Sequence, residues 1–435
     1  MKKIVLSILF CTAIFAGFSQ KVEHVVLITI DGFRPDYYLD STWQATNIRQ
    51  LVLDGVHANG VNSVFPSMTY PAHTTIVTGV RPSKHGIYFN GMFEPNGSTG
   101  KIYWEDSSIR VPTLWTAAKA KGLTTAALMW PVSAGAPATY NISDVGSMGE
   151  NNRELRATPE GIVAELKKNL FNDSPRIAYG EDKNVAAIAG YIIKKAKPNL
   201  MTIHFFGVDH YSHMDDREGT QVRSAMRRAD SSVAIVMNAI KEAGLWEKTV
   251  FIVTGDHGFM DVTTSVNPNV WLAKNGFIND VKKDDWKAQF YSVSGSAYLY
   301  LKDKSDLKTA TAVRDLLNSL PAEEKKYFRV IDRKQLDKAG ANPEVAFAIT
   351  SESGAAFGNG TTGEAIKERK KGGAHAHFPD FKEIQTGFVA VGPGLKKGTV
   401  IKEMNLIDIA PFIAKLLNLS MPGVEGKVPA ALAGK

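Results

Sequence analysis

Only one of the 435 residues is a cysteine, Cys11, and it lies inside the first apolar segment. The rest of the chain can therefore form no disulfide, no thiolate metal site and no cysteine nucleophile. A second long apolar run is also missing: beyond Ile4–Phe18, no stretch has the length and apolarity of a transmembrane helix. Charge of one sign does not dominate either. The formal net charge is +7, and no dense basic run is interleaved with aromatics, so no nucleic-acid polymer is expected as a partner. The segments KERKKGG and KKGTVIK read as solvated loops. Internal repeats and low-complexity stretches are absent.

The N-terminus does carry a signal. Lys2 and Lys3 precede the apolar run, and Ala16, Gly17 and Ser19 supply small residues near a cut site. Residues 1–20 are read as a cleaved signal peptide, which makes the mature protein periplasmic or extracellular, without a transmembrane anchor. Bulky Phe10 before Cys11 argues against lipoprotein processing. An exported chain without disulfides must be held by its core, and this one is long enough to bury a large one.

Short apolar runs recur at Val25–Ile30, Thr124–Leu128, Met201–Phe206, Thr249–Thr254 and Gly387–Val391. Amphipathic patterns lie between several of them: Val111–Lys121, Thr158–Leu170, Lys183–Lys195 and Glu218–Ala243. This alternation predicts an α/β fold with a mostly parallel central sheet covered by helices on both faces. Residues about 259–372 read differently, with short strands at Ala297–Leu301, Phe328–Ile331 and Val345–Ile349 and a helix near Leu307–Leu317. They are taken as a smaller inserted α+β subdomain. The chain then returns with a strand and a closing helix, Leu406–Leu417.

Chemistry gathers where those apolar runs end. Asp31 follows VVLITI; Asp256 and His257 follow VFIVTG; Asp209 and His213 stand four residues apart just past HFF; His375 or His377 lies in GGAHAHFP. In parallel sheets ligands collect beyond the carboxyl ends of the strands. Residues four apart on a helix share a face, so Asp209 and His213 can reach one metal. Taken singly, an Asp after a strand is a turn former and a threonine before a helix is a cap. Their co-occurrence reads as a two-zinc site, since Asp and His are ligands that zinc accepts. Thr69, in SVFPSMTYPAHTTIVTG, supplies a hydroxyl at a turn bracketed by Pro66 and Pro71, with Ser67 as its rival. A threonine needs a base or a metal to become a nucleophile.

These segments resemble the nucleotide pyrophosphatase/phosphodiesterase family of the alkaline phosphatase superfamily. The matching motifs are IDGFRPDY, FPSMTYPAHTTIVTGVRPSKHGIYFN, D-x-x-x-H, TGDHG, GAHAHFP, MNLIDIAPFIAKLL and MPGVEGK, and they run from about Val25 to Lys427. The resemblance implies two zinc ions per chain: one held by Asp209, His213 and His375, the other by Asp31, Thr69, Asp256 and His257. It implies that Thr69 attacks phosphorus and is transiently phosphorylated, and that the Asn90 amide contacts a phosphoryl oxygen. His73 and His85 match framework positions.

The chain departs from the family pattern in three places. His375-Ala376-His377 stands where the family has HGY, and Pro379 keeps the register that favours His375. Met68 replaces the lysine often found before the nucleophile, and His204 replaces a tyrosine five residues before Asp209. Tyr70 still offers a ring for a base or leaving group. The expected substrate is a small phosphate diester, with a phospholipid headgroup ester among the possibilities. A phosphomonoesterase on the same site is the alternative. An arylsulfatase is disfavoured because the C/S-x-P-x-R context is missing, and a non-catalytic binding protein because the ligand set is complete.

Overall fold

The computed structural model describes residues 21–146, 150–352 and 354–433. The expected signal peptide, with Cys11, lies outside the described residues. An eight-stranded sheet organises the molecule. Its central strand, β1 (His24–Ile30), is buried at every position. Val26, Ile28 and Ile30 enter one core and Val25 and Leu27 the other, because successive side chains of a strand point to opposite faces. Each such aliphatic side chain contributes about 1.5–3 kcal/mol when buried. A charge at any of them would offset much of a typical net stability of about 5–15 kcal/mol.

β1 pairs in parallel with β2 (Leu200–Phe205) on one side and with β3 (Thr249–Thr254) on the other. Outside β2 lie Thr125–Leu128 and Tyr140–Ile142, also parallel. Outside β3 lies Phe388–Val391, the one strand that runs antiparallel to its neighbours, followed by Val56–Ala58 and Thr399–Ile401. Helix α1 (Thr69–Thr78) and the closing helix Ile409–Leu417 pack on one face. On the other face pack α2 (Asp182–Ala196), α3 (Gly207–Met214) and α4 (Thr220–Glu242). The expected α/β architecture with a mostly parallel, doubly covered sheet is therefore the one observed. No helix of the described residues is long and apolar enough to cross a membrane.

Element ends follow local chemistry. The helix expected from Val111 starts at Leu114, because Pro112 precedes it and the Thr113 hydroxyl caps it by accepting from the Thr116 N–H. The strand expected at Val345–Ile349 occupies Phe347–Ser351, since Asn342 and Pro343 make a turn in which Asn342 accepts from the Glu344 N–H.

Past β3 the chain builds a two-stranded ribbon, Ile278–Asp280 with Asp285–Trp286, and two larger sheets. One is antiparallel, in the order Ala288–Ser292, Ser296–Leu301, Phe347–Ser351, Phe328–Ile331. The other sets β4 (Met260–Val266) between Gly354–Phe357 and β5 (Ile366–Ala374). β5 ends where His375 begins. The three-stranded sheet was not foreseen, because KERKKGG lacks the apolar alternation of a strand. Its backbone is nonetheless paired: Glu368 faces Thr264 and Gly372 faces Val262, so Arg369–Lys371 bulge out opposite Thr263 alone. A Cβ on Gly372 or Gly373 would lie 2.5 or 2.4 Å from the carbonyl oxygens of His213 and Ser212. These two glycines let β5 lie directly against α3.

Candidate active site

The carboxyl ends of β1, β2 and β3 are adjacent, and the acidic side chains follow from that register. Asp31 comes directly after β1, Asp256 two residues after the end of β3, and Asp209 at the third position of α3. Gly255 is needed here: a Cβ would lie 2.3 Å from Thr386 Oγ1 and 2.6 Å from Phe33 Cβ.

Two groups form. Asp31, Asp256 and His257 bring ligand atoms within 4.8 Å of one another, and so do Asp209, His213 and His375. In the first, His257 Nε2 lies 3.2 Å from Asp31 Oδ1 and 3.3 Å from Asp256 Oδ2. In the second, His213 Nε2 lies 3.4 Å and His375 Nε2 3.8 Å from Asp209 Oδ1. The rings of His257 and His375 stack with centroids 3.7 Å apart, so the two groups are neighbours.

All three histidines are oriented alike. Nδ1 meets a backbone carbonyl in each: Gly258 for His257 at 3.2 Å, Gly373 for His213 at 3.3 Å, and Ser67 for His375 at 3.1 Å. A carbonyl only accepts, so Nδ1 carries the hydrogen and Nε2 presents a lone pair to the carboxylates. A metal-ligating histidine needs this arrangement. Several of the facing atoms are buried with no hydrogen-bond partner: Asp31 Oδ1, Asp256 Oδ2, Asp209 Oδ1 and His257 Nε2. Buried polar atoms are rarely left so, at about 1–3 kcal/mol each. The other Asp256 oxygen is satisfied by the Gly32 and His257 N–H groups. The donor set and its orphaned atoms thus fit cations.

Charge tells the same story. Burial, and then the charges of Asp209 and Asp256, push Asp31 well above the ordinary carboxylate range. Burial pushes Asp256 up to about 7. Asp209 moves down although burial opposes it, because His213 and His375 face it. Three carboxylates this close cannot all stay ionised in a dry site without cations.

Thr69 is the first residue of α1. Its hydroxyl makes no hydrogen bond among the described residues and is not sealed from solvent. Ser67, by contrast, is fully buried and donates to the His377 carbonyl at 2.9 Å. Asn90 accepts the Tyr70 N–H at Oδ1 over 2.9 Å, which leaves its amide hydrogens to donate elsewhere. His377 is fully buried, has no partner at either ring nitrogen and belongs to neither group. Tyr70 is only 6% exposed, its hydroxyl donates to Asp144 at 3.1 Å, and its ring meets Trp104 edge-on. The partly exposed Trp104 therefore presents more ring to a ligand than Tyr70 does.

Sequence reasoning missed a buried polar chain beneath the site. His73 Nδ1 donates to the Thr69 carbonyl at 2.8 Å, and its Nε2 lies 2.9 Å from Thr29 Oγ1. Thr29 in turn meets His204 Nδ1 at 3.1 Å, and His204 Nε2 lies 3.4 Å from Asp31 Oδ2. Thr29 and His204 are register partners on β1 and β2. Without the strand register the sequence offered no sign of this link.

Residues 25–375 match the sequence profile of type I phosphodiesterase / nucleotide pyrophosphatase. The chain belongs to that family. Type I phosphodiesterases of this kind fall within the alkaline phosphatase superfamily, as the motifs suggested. Among curated relatives, venom phosphodiesterase 2 of Crotalus adamanteus is 25% identical over 423 residues, covering 93% of this chain and 46% of the relative. Ectonucleotide pyrophosphatase/phosphodiesterase family member 3 of Rattus norvegicus is 24% identical, with 93% and 42% covered. The chain spans less than half the length of these relatives. Murine ectonucleotide pyrophosphatase / phosphodiesterase 5, solved as an inactive variant in complex with AMP, superposes with a TM-score of 0.69 at 19% identity. That match covers 93% of this chain and 97% of the other, and it establishes the fold.

Proposed function

We propose that this chain is an exported, zinc-dependent phosphodiesterase that hydrolyses small phosphate diesters through a phosphothreonine at Thr69. The observation that supports the reading is the paired Asp/His groups with their Nε2 lone pairs and orphaned carboxylate oxygens, joined to the Thr69 turn through His73, whose Nδ1 meets the Thr69 carbonyl and lies 3.6 Å from Asp256 Oδ2. Asp31, Asp256 and His257, with Thr69, would hold one zinc, and Asp209, His213 and His375 the other. When bound, the two ions would supply Lewis acidity and lower the pKa of a coordinated hydroxyl or water.

The chain's own residues do the rest. Thr69 Oγ1 forms a bond to phosphorus as the bond to the leaving oxygen breaks; water then attacks the same phosphorus and releases Thr69. Asn90, fixed through the Tyr70 N–H, donates its amide to a phosphoryl oxygen as charge shifts onto it. His73 holds the Thr69 carbonyl and so fixes the turn that aims the hydroxyl. Met68 gives no cation for a second phosphate charge, which favours diesters over monoesters. Residues 1–20 are the leader for export, and residues 259–372 form a unit inserted between β3 and the last ligand.

The test is a quenched reaction on the zinc-loaded protein with a bis-nitrophenyl diester and a nitrophenyl monoester, followed by peptide mapping. Faster diester turnover and phosphate on Thr69 are expected. A preference for the monoester, or phosphate on Ser67, would contradict the reading.

A further inference from the structure

Beneath the site, one hydroxyl stands between two imidazoles. Thr29 Oγ1 lies 2.9 Å from His73 Nε2 and 3.1 Å from His204 Nδ1, and all three side chains are fully buried. The two rings meet edge-on with centroids 4.3 Å apart. Trp130 packs against His73 at 4.9 Å and Phe206 against His204 at 4.4 Å. Each imidazole also faces the site. His73 Nδ1 donates to the Thr69 carbonyl and lies 3.6 Å from Asp256 Oδ2. His204 Nε2 faces Asp31 Oδ2 at 3.4 Å and has no hydrogen-bond partner. Thr29 and His204 meet because they are register partners on β1 and β2, and His73 lies one turn after Thr69 on α1.

The hydrogens of this chain of contacts can be counted. A carbonyl only accepts, so a neutral His73 carries its hydrogen on Nδ1 and presents a lone pair at Nε2. His204 has to turn a hydrogen toward the Asp31 carboxylate, because two buried acceptors face to face oppose each other. A neutral His204 with its hydrogen on Nε2 needs a donor at Nδ1, and the Thr29 hydroxyl is the one donor at hydrogen-bond distance among the described residues. Thr29 has a single hydrogen to give. Given to His73, or to the more distant Ile203 carbonyl at 3.3 Å, it leaves the lone pair of His204 facing Asp31. Given to His204, it turns an N–H there.

We propose that Thr29 and His204 are positioning residues: the Thr29 hydroxyl donates to His204 Nδ1 and so fixes the tautomer whose Nε2–H orients the Asp31 carboxylate. The inference rests on the reading of Asp31 as a ligand of the buried centre and deepens it. Asp31 Oδ1 faces His257, so Oδ2 is the oxygen left for His204 to orient. Ligand side chains need outer partners of this kind. The same hydroxyl touches His73, which holds the Thr69 carbonyl, so the nucleophile's turn and the Asp31 carboxylate are tied to one side chain. His204 is one of the chain's departures from the family pattern, and the link depends on it.

The experiment separates the hydroxyl from the shape of the side chain. Thr29→Val keeps the branched shape and removes the hydroxyl; Thr29→Ser keeps the hydroxyl and loses the methyl group. On a bis-nitrophenyl diester, Thr29→Val should lower kcat about tenfold with KM nearly unchanged, and a chelator should strip one of its two zinc ions about tenfold more readily. Thr29→Ser should stay close to wild type in both. A role in packing alone would rank the two variants in the opposite order. His204→Phe should loosen the same zinc ion, and Thr29→Val/His204→Phe should be no worse than the weaker single variant, since both break one link. In zinc-loaded wild type, nitrogen-15 NMR of the His204 ring should place its hydrogen on Nε2. Wild-type kcat and zinc retention in Thr29→Val, equal damage in Thr29→Ser, or a hydrogen on His204 Nδ1 would overturn the proposal. A wild-type protein that hydrolyses no diester contradicts the diesterase reading instead, and zinc retention and the NMR signature then decide the link.

Discussion

The Asp31, Asp256 and His257 group lies in the dry angle between β1 and β3, while the Asp209, His213 and His375 group lies on α3 and the end of β5, open to solvent. Both use the same ligand chemistry and the same device, a carbonyl on Nδ1. They differ in what supports them. The buried group is held by two strands whose every residue is inside the core. The open group depends on an eight-residue helix and two glycines that let a strand approach it. The first is enclosed by the core, and the second meets solvent at Asp209 and His213.

The largest expected effect lies on the buried side. Thr69→Ala should lower turnover by more than about a thousandfold, as removing a nucleophile does elsewhere, while metal content stays near that of wild type. Substantial activity in this variant would break the comparison at its root. Next come the ligands. Asp256→Ala and His213→Ala should each lose metal affinity by at least about 100-fold at their own centre, beyond the loss from outer-shell changes. In wild type a chelator should strip the open centre first, which a time course of released metal would reveal; simultaneous release would mean that the difference in burial has no kinetic meaning.

Asn90→Ala should cost about 10²–10³ in kcat with little change in metal content, as for a lost donor to a developing charge. The smallest effect tests the support of the open group. Asp182 accepts from the Phe206 and Gly207 N–H groups at the start of α3. Burial raises its pKa from 3.8 to about 6. The folded state therefore holds the proton more tightly, so this group's contribution to stability is present below pH 4 and is lost as pH rises from about 4 to 6. Asp182→Asn keeps an acceptor for both N–H groups and should gain about 2–3 kcal/mol at pH 7 relative to pH 4. Denaturant melts of the two proteins at both pH values would measure it. Equal pH dependence in the two would show that Asp182 ionises freely.

Much of this was legible in the sequence because the determinants are local. Apolar runs with β-branched residues give strands, and a polar residue right after such a run marks its carboxyl end, which is how Asp31 and Asp256 stood out. The spacing of Asp209 and His213 is legible for the same reason, since it is a property of one helix. What could not be read depends on contacts between distant segments. His375 and His377 look alike in GAHAHFP; the resemblance and Pro379 favoured His375, and the contact itself, His375 beside Asp209 with His377 buried without a polar partner, comes from the fold. Tyr70 promised an open ring, but its burial follows from Ile87, Val132 and Trp104, which are remote in the chain. The Thr29–His204 link needs the register of two strands. The unequal burial of the two groups follows from how β5 packs on α3, and no local pattern encodes that.

One measurement tests the central claim most directly. Anomalous diffraction at the zinc edge from zinc-loaded crystals should give two peaks, one among Asp31, Asp256 and His257 within reach of the Thr69 hydroxyl, the other among Asp209, His213 and His375. A single peak, or a peak at His377, would contradict it.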